Sequence, residues 1–276
     1  MRFRDIVVQV APRHDGTVDH GARYALGLAQ AHGCRVTALV YEIVVEPRGV
    51  DPDDANPTGT VMDQIRDEAK RTAEAVAGLA ADTSVACETI AERSYAYGIG
   101  EIFADYGRVR DLAVLGVAEP LSREQRLLAE SVLFDSGRPL VLVPERISAF
   151  AQNRVMVAWD ATPAAVRAIA GAMPLLLAAR EVVVVSVLED KEFRRGTSGA
   201  EMCRHLARHG VAATFRTLER RGGSVAEVLL DAARTDGADV LVMGGYAHST
   251  LRGLIFGSAT REILERPLHL PVLMAH

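Results

Sequence analysis

Asp160 directly follows a short apolar run, Val155-Met156-Val157-Ala158-Trp159, that has the composition of a buried strand. A carboxylate at the carboxyl end of a strand can accept hydrogen bonds from ribose hydroxyls or from the amino group of a base. A second run, Asp239-Val240-Leu241-Val242-Met243, ends in Gly244-Gly245. The chain then passes through Tyr246, Ala247, His248, Ser249 and Arg252 to Gly257-Ser258. Glycine lets backbone come close to a bulky ligand. Ser258 stands where Ala259-Thr260-Arg261-Glu262-Ile263-Leu264 reads as a helix, and the free N–H groups of a helix start favour an anion. His248, Ser249 and Arg252 add donors. An acidic group for the sugar, glycines for close approach and a helix N-terminus for phosphate are the parts of an adenine nucleotide site. The same residue types also make ordinary turns and helix caps, so spacing alone leaves both readings open.

Other candidates carry less. His205 and His209 are four apart on one predicted helix, a metal-like spacing, but Arg204 and Arg208 are interleaved and no third strong ligand stands nearby. Arg194-Arg195 and Arg220-Arg221 read as surface charge, with Arg220 or Arg221 a candidate rim for a phosphate site. Tyr95 and Tyr97 read as surface or interface aromatics. No Gly-Xaa-Ser-Xaa-Gly elbow and no phosphate loop ending in Gly-Lys-Ser/Thr occurs, and Ser258 has no His–Asp partner at recognisable spacing. No catalytic constellation emerges.

The elements that must position these residues are written twice. Asp111-Leu112-Ala113-Val114-Leu115-Gly116 reappears as Asp239-Val240-Leu241-Val242-Met243-Gly244, and Glu101-Ile102-Phe103-Ala104-Asp105 as Glu227-Val228-Leu229-Leu230-Asp231. Ile6-Val7-Val8-Gln9-Val10 answers to Val155-Met156-Val157-Ala158-Trp159, and Arg138-Pro139-Leu140-Val141-Leu142-Val143 to Leu270-Pro271-Val272-Leu273-Met274. The order is preserved throughout, which argues for duplication. Apolar runs without alternation predict parallel strands covered on both faces, near 6–10, 36–41, 86–90, 112–115 and 140–143, then 155–159, 182–188, 212–218, 240–243 and 272–275. Helical spacing predicts helices near 20–31, 64–79 and 100–106, then 163–179, 198–209, 224–236 and 258–265. The expected fold class is α/β: two tandem, doubly wound parallel sheets with right-handed crossovers. The boundary falls near 146–153, giving units 1–147 and 152–276, and the Pro- and Asp-rich stretch 46–57 is an excursion of the first unit alone.

The bulk numbers are those of an ordinary globular chain. Of 276 residues 49% are hydrophobic and 24% charged; a net charge of -5 gives no bulk attraction to nucleic acid or an anionic membrane. No apolar stretch approaches the roughly 18 residues of a membrane span. The opening Met1-Arg2-Phe3-Arg4-Asp5-Ile6 does not read as a signal peptide. Cys34, Cys87 and Cys203 are odd in number and far apart, which suits a reducing compartment. The expectation is a cytoplasmic protein with no nucleic-acid or membrane partner.

The segment from Val240 to His276 resembles the carboxyl-terminal signature of the universal stress protein family: Gly, two residues, Gly, nine residues, Gly, then Ser or Thr. Here the spacing runs through Gly244, Ala247, Gly257 and Ser258, with alanine at the second glycine. Asp160 matches the family's nucleotide-contacting aspartate, Gly222-Gly223-Ser224 its glycine-containing turn, and Leu270-Pro271-Val272-Leu273-Met274 its closing strand. Both halves share the pattern, so the chain looks like a tandem member. The resemblance implies five strands per unit in the order 3-2-1-4-5, an adenine nucleotide α-hydrolase-like sheet, with an ATP-type ligand between strands one and four. Asp160, Val187, Gly244, Ala247, His248, Arg252, Gly257 and Ser258 are the residues it assigns to ATP, ADP or AMP, with Mg a candidate companion. If position 247 requires positive φ, its methyl costs about 1 kcal/mol or more; if not, it narrows the phosphate channel.

The first unit departs from the signature. Ala11 takes the aspartate's place, Asp15 lies further along, and Glu119, Glu124 and Glu130 put negative charge where phosphates would go, which disfavours an anion unless those charges are paired. The implied function is a stress-response regulatory or protective protein holding its nucleotide in the C-terminal unit, with at most slow ATP hydrolysis. Its partners would be the nucleotide and an unidentified protein, within an internal pseudo-dimer that could itself form a homodimer. The alternative is an interaction module of the same fold that has lost its nucleotide. An adenylating enzyme of the wider fold group is a third reading, against which the missing Ser-Gly-Gly-Xaa-Asp type loop counts.

Overall fold

The computed structural model describes residues 2–13, 15–44, 57–188, 198–220, 222–245 and 258–276. The first repeat comprises β1 (Asp5–Val10), α1 (His20–His32), β2 (Arg35–Ile43), α2 (Pro57–Asp82), β3 (Cys87–Ser94), α3 (Ile99–Arg108), β4 (Leu112–Val117), α4 (Arg123–Ser131) and β5 (Leu140–Pro144). The second comprises β6 (Arg154–Ala158), α5 (Pro163–Ala178), β7 (Glu181–Leu188), α6 (Gly199–Arg208), β8 (Ala213–Glu219), α7 (Val225–Thr235), β9 (Val240–Gly244), α8 (Ser258–Glu265) and β10 (Val272–Ala275).

Within each repeat the strands are parallel and run 3-2-1-4-5, as expected: β3-β2-β1-β4-β5 in the first, and β8-β7-β6-β9-β10 in the second. The two expected sheets, however, are one. β5 and β10 pair antiparallel, Leu142 against Val272, Val141 against Leu273 and Leu140 against Met274, and join all ten strands. An unpaired edge strand leaves a row of N–H and C=O groups without partners. Each repeat's last strand is apolar on both faces, so pairing these two edges satisfies the backbone and buries the side chains together.

Strand residues alternate between two apolar layers. Ile6, Val8, Val155 and Val157 face α1, α2, α5 and α6, while Val7 and Met156 face α3, α4, α7 and α8. Both layers run through both repeats. The connecting segment is packed as well: Phe150 lies edge-on to Tyr24 and His32, with ring centroids 5.3 and 5.9 Å away.

Two helices differ from expectation. α2 runs from Pro57 to Asp82, longer than the spacing at 64–79 indicated. α4 had no counterpart in the sequence reading, because Arg123-Glu124-Gln125-Arg126 offers little apolar spacing. Its start is nonetheless fixed by a capping box: Ser122 Oγ accepts from the Gln125 N–H, and Gln125 Oε1 accepts from the Ser122 N–H. A π-helical turn, Val132–Ser136, extends α4 and ends at Gly137 with φ 68°.

Candidate functional site

β6 and β9 are neighbours, Val155 against Val240 and Val157 against Val242, and the helices that leave them go to opposite faces. α5 follows β6 onto one layer; α8, after β9, lies on the other. This is the point where strand order reverses, the place beyond the strands' carboxyl ends where open α/β sheets bind their ligands.

Asp160 stands at this point, exposed. Trp159 extends the β6–β7 ladder, its N–H donating to Val185 O at 2.8 Å while its own carbonyl accepts from the buried Ser186 Oγ at 2.7 Å. The chain then turns at Ala161, whose φ of 61° is left-handed, an uncommon state for alanine. Asp160 Oδ1 holds the turn by accepting from Thr162 N at 3.0 Å and Thr162 Oγ1 at 2.7 Å, while Thr162 caps α5 through Ala165 N. Asp160 is exposed, and its Oδ2 has no partner among the described residues. One oxygen fixes the side chain and the other faces solvent.

Val187, near the end of β7, is half-buried, registers with Leu218 and packs on the layer that holds α7 and α8. Gly244 closes β9. A Cβ there would lie 2.6 Å from Ala165 N and 2.9 Å from Ala164 C, so the missing side chain lets the start of α5 rest on the strand end. Gly245 continues toward β10, donating to Ala275 O at 2.8 Å, and its carbonyl lies 3.2 Å from His276 Nδ1. Ser258 is the first residue of α8. Ala247, His248, Arg252 and Gly257 lie outside the described residues. The structure thus brings Asp160, Gly244 and Val187 to the carboxyl ends of three adjacent strands.

A cleft of about 880 Å3 lies at the end of β8 and against α7, lined among others by Thr217, Arg220, Gly223, Glu227, Arg266 and His269. Asp160, Val187 and Gly244 do not line it. The Gly222-Gly223-Ser224 turn here is a helix start: Gly222 has φ 84°, and Ser224 with Glu227 forms a capping box on α7. The Ser224 N–H and the Arg266 guanidinium, 2.9 Å away, hold the Glu227 carboxyl below its usual range. Arg220 Nε donates to Gly223 O and braces the turn. Arg266 and His269 were not singled out in the sequence; their place just before the closing strand is the only signal that points to them. Among the described residues no group of three metal-ligating side chains forms, and His205 and His209 simply lie with ring centroids 4.7 Å apart. No described helix is long and apolar enough to cross a membrane.

Residues 152–276 match the family model of the universal stress protein family. This half of the chain belongs to the universal stress protein family. The fold extends through both halves. A universal stress protein from Archaeoglobus fulgidus DSM 4304 superposes with a TM-score of 0.70 at 17% identity, covering 98% of this chain and 95% of its own. A functionally unknown protein from Pseudomonas aeruginosa PAO1 superposes with a TM-score of 0.56 at 15% identity, covering 98% and 92%. Comparison with curated proteins gave no match.

Beside the universal stress protein domain of the second half, the first repeat carries different contacts at the corresponding strand ends. Asp19, buried, reaches back to accept from Ala11 N at 2.9 Å with one oxygen and caps α1 through Ala22 N at 2.7 Å with the other. Gln125 spans the β4–α4 loop, accepting from Ala118 N and Ser122 N. The negative charge expected of Glu119 is paired: Arg146 donates to it, holds its carboxyl below the usual range and ties the loop to the end of β5. Asp15 corrects the sequence reading. It makes the turn that Asp160 makes, its Oδ1 accepting from Thr17 N at 3.0 Å and Thr17 Oγ1 at 2.7 Å around left-handed Gly16, despite its distance from the strand.

Proposed function

We propose that the universal stress protein domain of the second half binds an adenine nucleotide, ATP, ADP or AMP, in the crevice between β6 and β9, and that the chain acts as a nucleotide-responsive stress protein of the cytoplasm. The observation that carries this reading is Asp160: an exposed carboxylate at the strand-order reversal, locked by one oxygen with the other left for a ribose hydroxyl. Val187 offers an apolar surface for the base, and the start of α8 at Ser258 offers N–H groups to phosphate. Gly244, Ala247, His248, Arg252 and Gly257 complete the assignment, and Mg would accompany the phosphates of ATP or ADP. Binding rather than turnover is the proposed role.

Ligand at roughly 100 Kd stabilises a one-site protein by about 2.7 kcal/mol. A calorimetric melting series in millimolar ATP, ADP and AMP is therefore expected to raise the melting temperature of the wild-type chain, and Asp160→Ala to remove most of that shift. A wild-type chain indifferent to all three nucleotides overturns the reading.

A further inference from the structure

The two repeats are related by an approximate two-fold axis through the β5–β10 pair, so each feature of one seam has a counterpart at the other. The register is set by helix starts: Gly21 packs on Gly116 at the end of β4 as Ala165 packs on Gly244 at the end of β9. These positions, like Gly27 and Gly171 further along α1 and α5, are 144 residues apart. At one seam Gly27 faces Phe150, whose Cβ would be 3.0 Å from an added methyl, and that ring, with Tyr24 and His32, fills the space. At the other seam Gly171 faces Pro139, and beside it a pocket of about 250 Å3 stays open. There is one connecting segment for two seams, so only one can be filled by it.

The open seam is strongly basic. Arg2 and Arg138 from the first repeat and Arg167 from α5 line it, with His276 and one acidic side chain, Asp111. Asp111 Oδ2 is already engaged by the N–H groups of Arg4 and Asp5 at 2.7 and 3.2 Å. Among the described residues none of the three guanidiniums has a carboxylate within 4.0 Å; Arg138 Nε donates to Arg108 O at 3.4 Å, which leaves its terminal amino groups free. At the filled seam the residue matching Arg167 is Arg23, whose Nε is taken by Val18 O at 3.0 Å. Three cations gathered at one pocket of a chain whose net charge is -5, without a matching acid for each, form a receptor for an anion. Guanidinium forks match the oxygens of phosphate. The pocket of about 250 Å3 has room for a small oxyanion and lies at the lower end of the roughly 300–1,000 Å3 of organic-ligand pockets.

We propose that this inter-repeat pocket binds a small phosphate-class oxyanion, held by Arg2, Arg138 and Arg167, at a site separate from the nucleotide crevice. The test titrates the full chain with inorganic phosphate by calorimetry, at ionic strength held constant with chloride. The wild type should bind saturably at one site. Arg138→Gln and Arg167→Gln should each weaken binding by about tenfold, the loss expected for one charge-assisted contact, with unchanged circular dichroism because both side chains are exposed. Arg167→Lys should restore only part of the affinity, since a point charge lacks the fork, and Asp160→Ala should bind phosphate as the wild type does. Absence of saturation, or binding that survives loss of both arginines, overturns the proposal. Loss of phosphate binding in Asp160→Ala would also overturn it, by placing the anion in the crevice; nucleotide binding by the double arginine variant reports on the crevice alone.

Discussion

Asp15 and Asp160 show how little of a side chain's role is carried by its type. Both close the same turn with one oxygen, around a left-handed residue and onto a threonine. Asp160 lies at the end of β6 with Thr162 opening α5 at once, and its second oxygen has no partner among the described residues. In the first repeat Val18 and Asp19 intervene before α1, and Asp19 takes the position against the strand end. Gly244 is constrained by α5 whatever is bound: Gly244→Ala forces a methyl against the backbone of Ala164 and Ala165, and should cost about 1–3 kcal/mol in urea unfolding, the range for overpacking. A change of a few tenths would mean that α5 can withdraw. The position of Asp160 at a strand end was legible because it directly follows a β-rich apolar run. The helix-seating role of Gly244 was not, because no spacing rule says which helix start will rest on a given strand end.

At the scale of elements, the strands and long helices followed from runs and periodicity, and the failures have physical causes. α4 is short and polar, and was legible only in the Ser122–Gln125 capping box. The Gly222-Gly223-Ser224 turn is present as expected and is also a capping box on α7 with Arg266 behind Glu227, a partner 39 residues away that sequence does not show. α1 ends in a titratable contact. His32 Nε2 meets Gln152 Oε1 at 2.9 Å, its ring is edge-on to Phe3 and Phe150, and desolvation keeps its imidazole below the ordinary value of 6.5. The unfolded chain therefore binds this proton more readily than the native one. Its contribution is fully present above about pH 6.5 and is lost as pH falls toward the depressed native value. Denaturant midpoints measured between pH 7.5 and 5 should fall for the wild type and fall less steeply for His32→Gln; identical slopes would show that the ring titrates as if exposed.

For the whole molecule, duplication was visible in the order of four matched segments, but the single sheet was not, since edge-to-edge pairing depends on two strands that are both last in their repeats. Fusion has made the copies unequal. One seam is filled by Phe150 and the other left open and basic; at the strand ends of the first repeat Asp19, Gln125 and the Glu119–Arg146 pair tie the loops, while at the end of β6 Asp160 is exposed. We propose that this inequality leaves one nucleotide site, in the second half. Equilibrium binding of radiolabelled ATP to the intact chain, to Asp160→Ala and to Asp15→Ala tests it most directly. The account predicts one ATP per wild-type chain, an undiminished site in Asp15→Ala and none in Asp160→Ala. Two ATP molecules per chain, or a site lost with Asp15 and kept without Asp160, would contradict it.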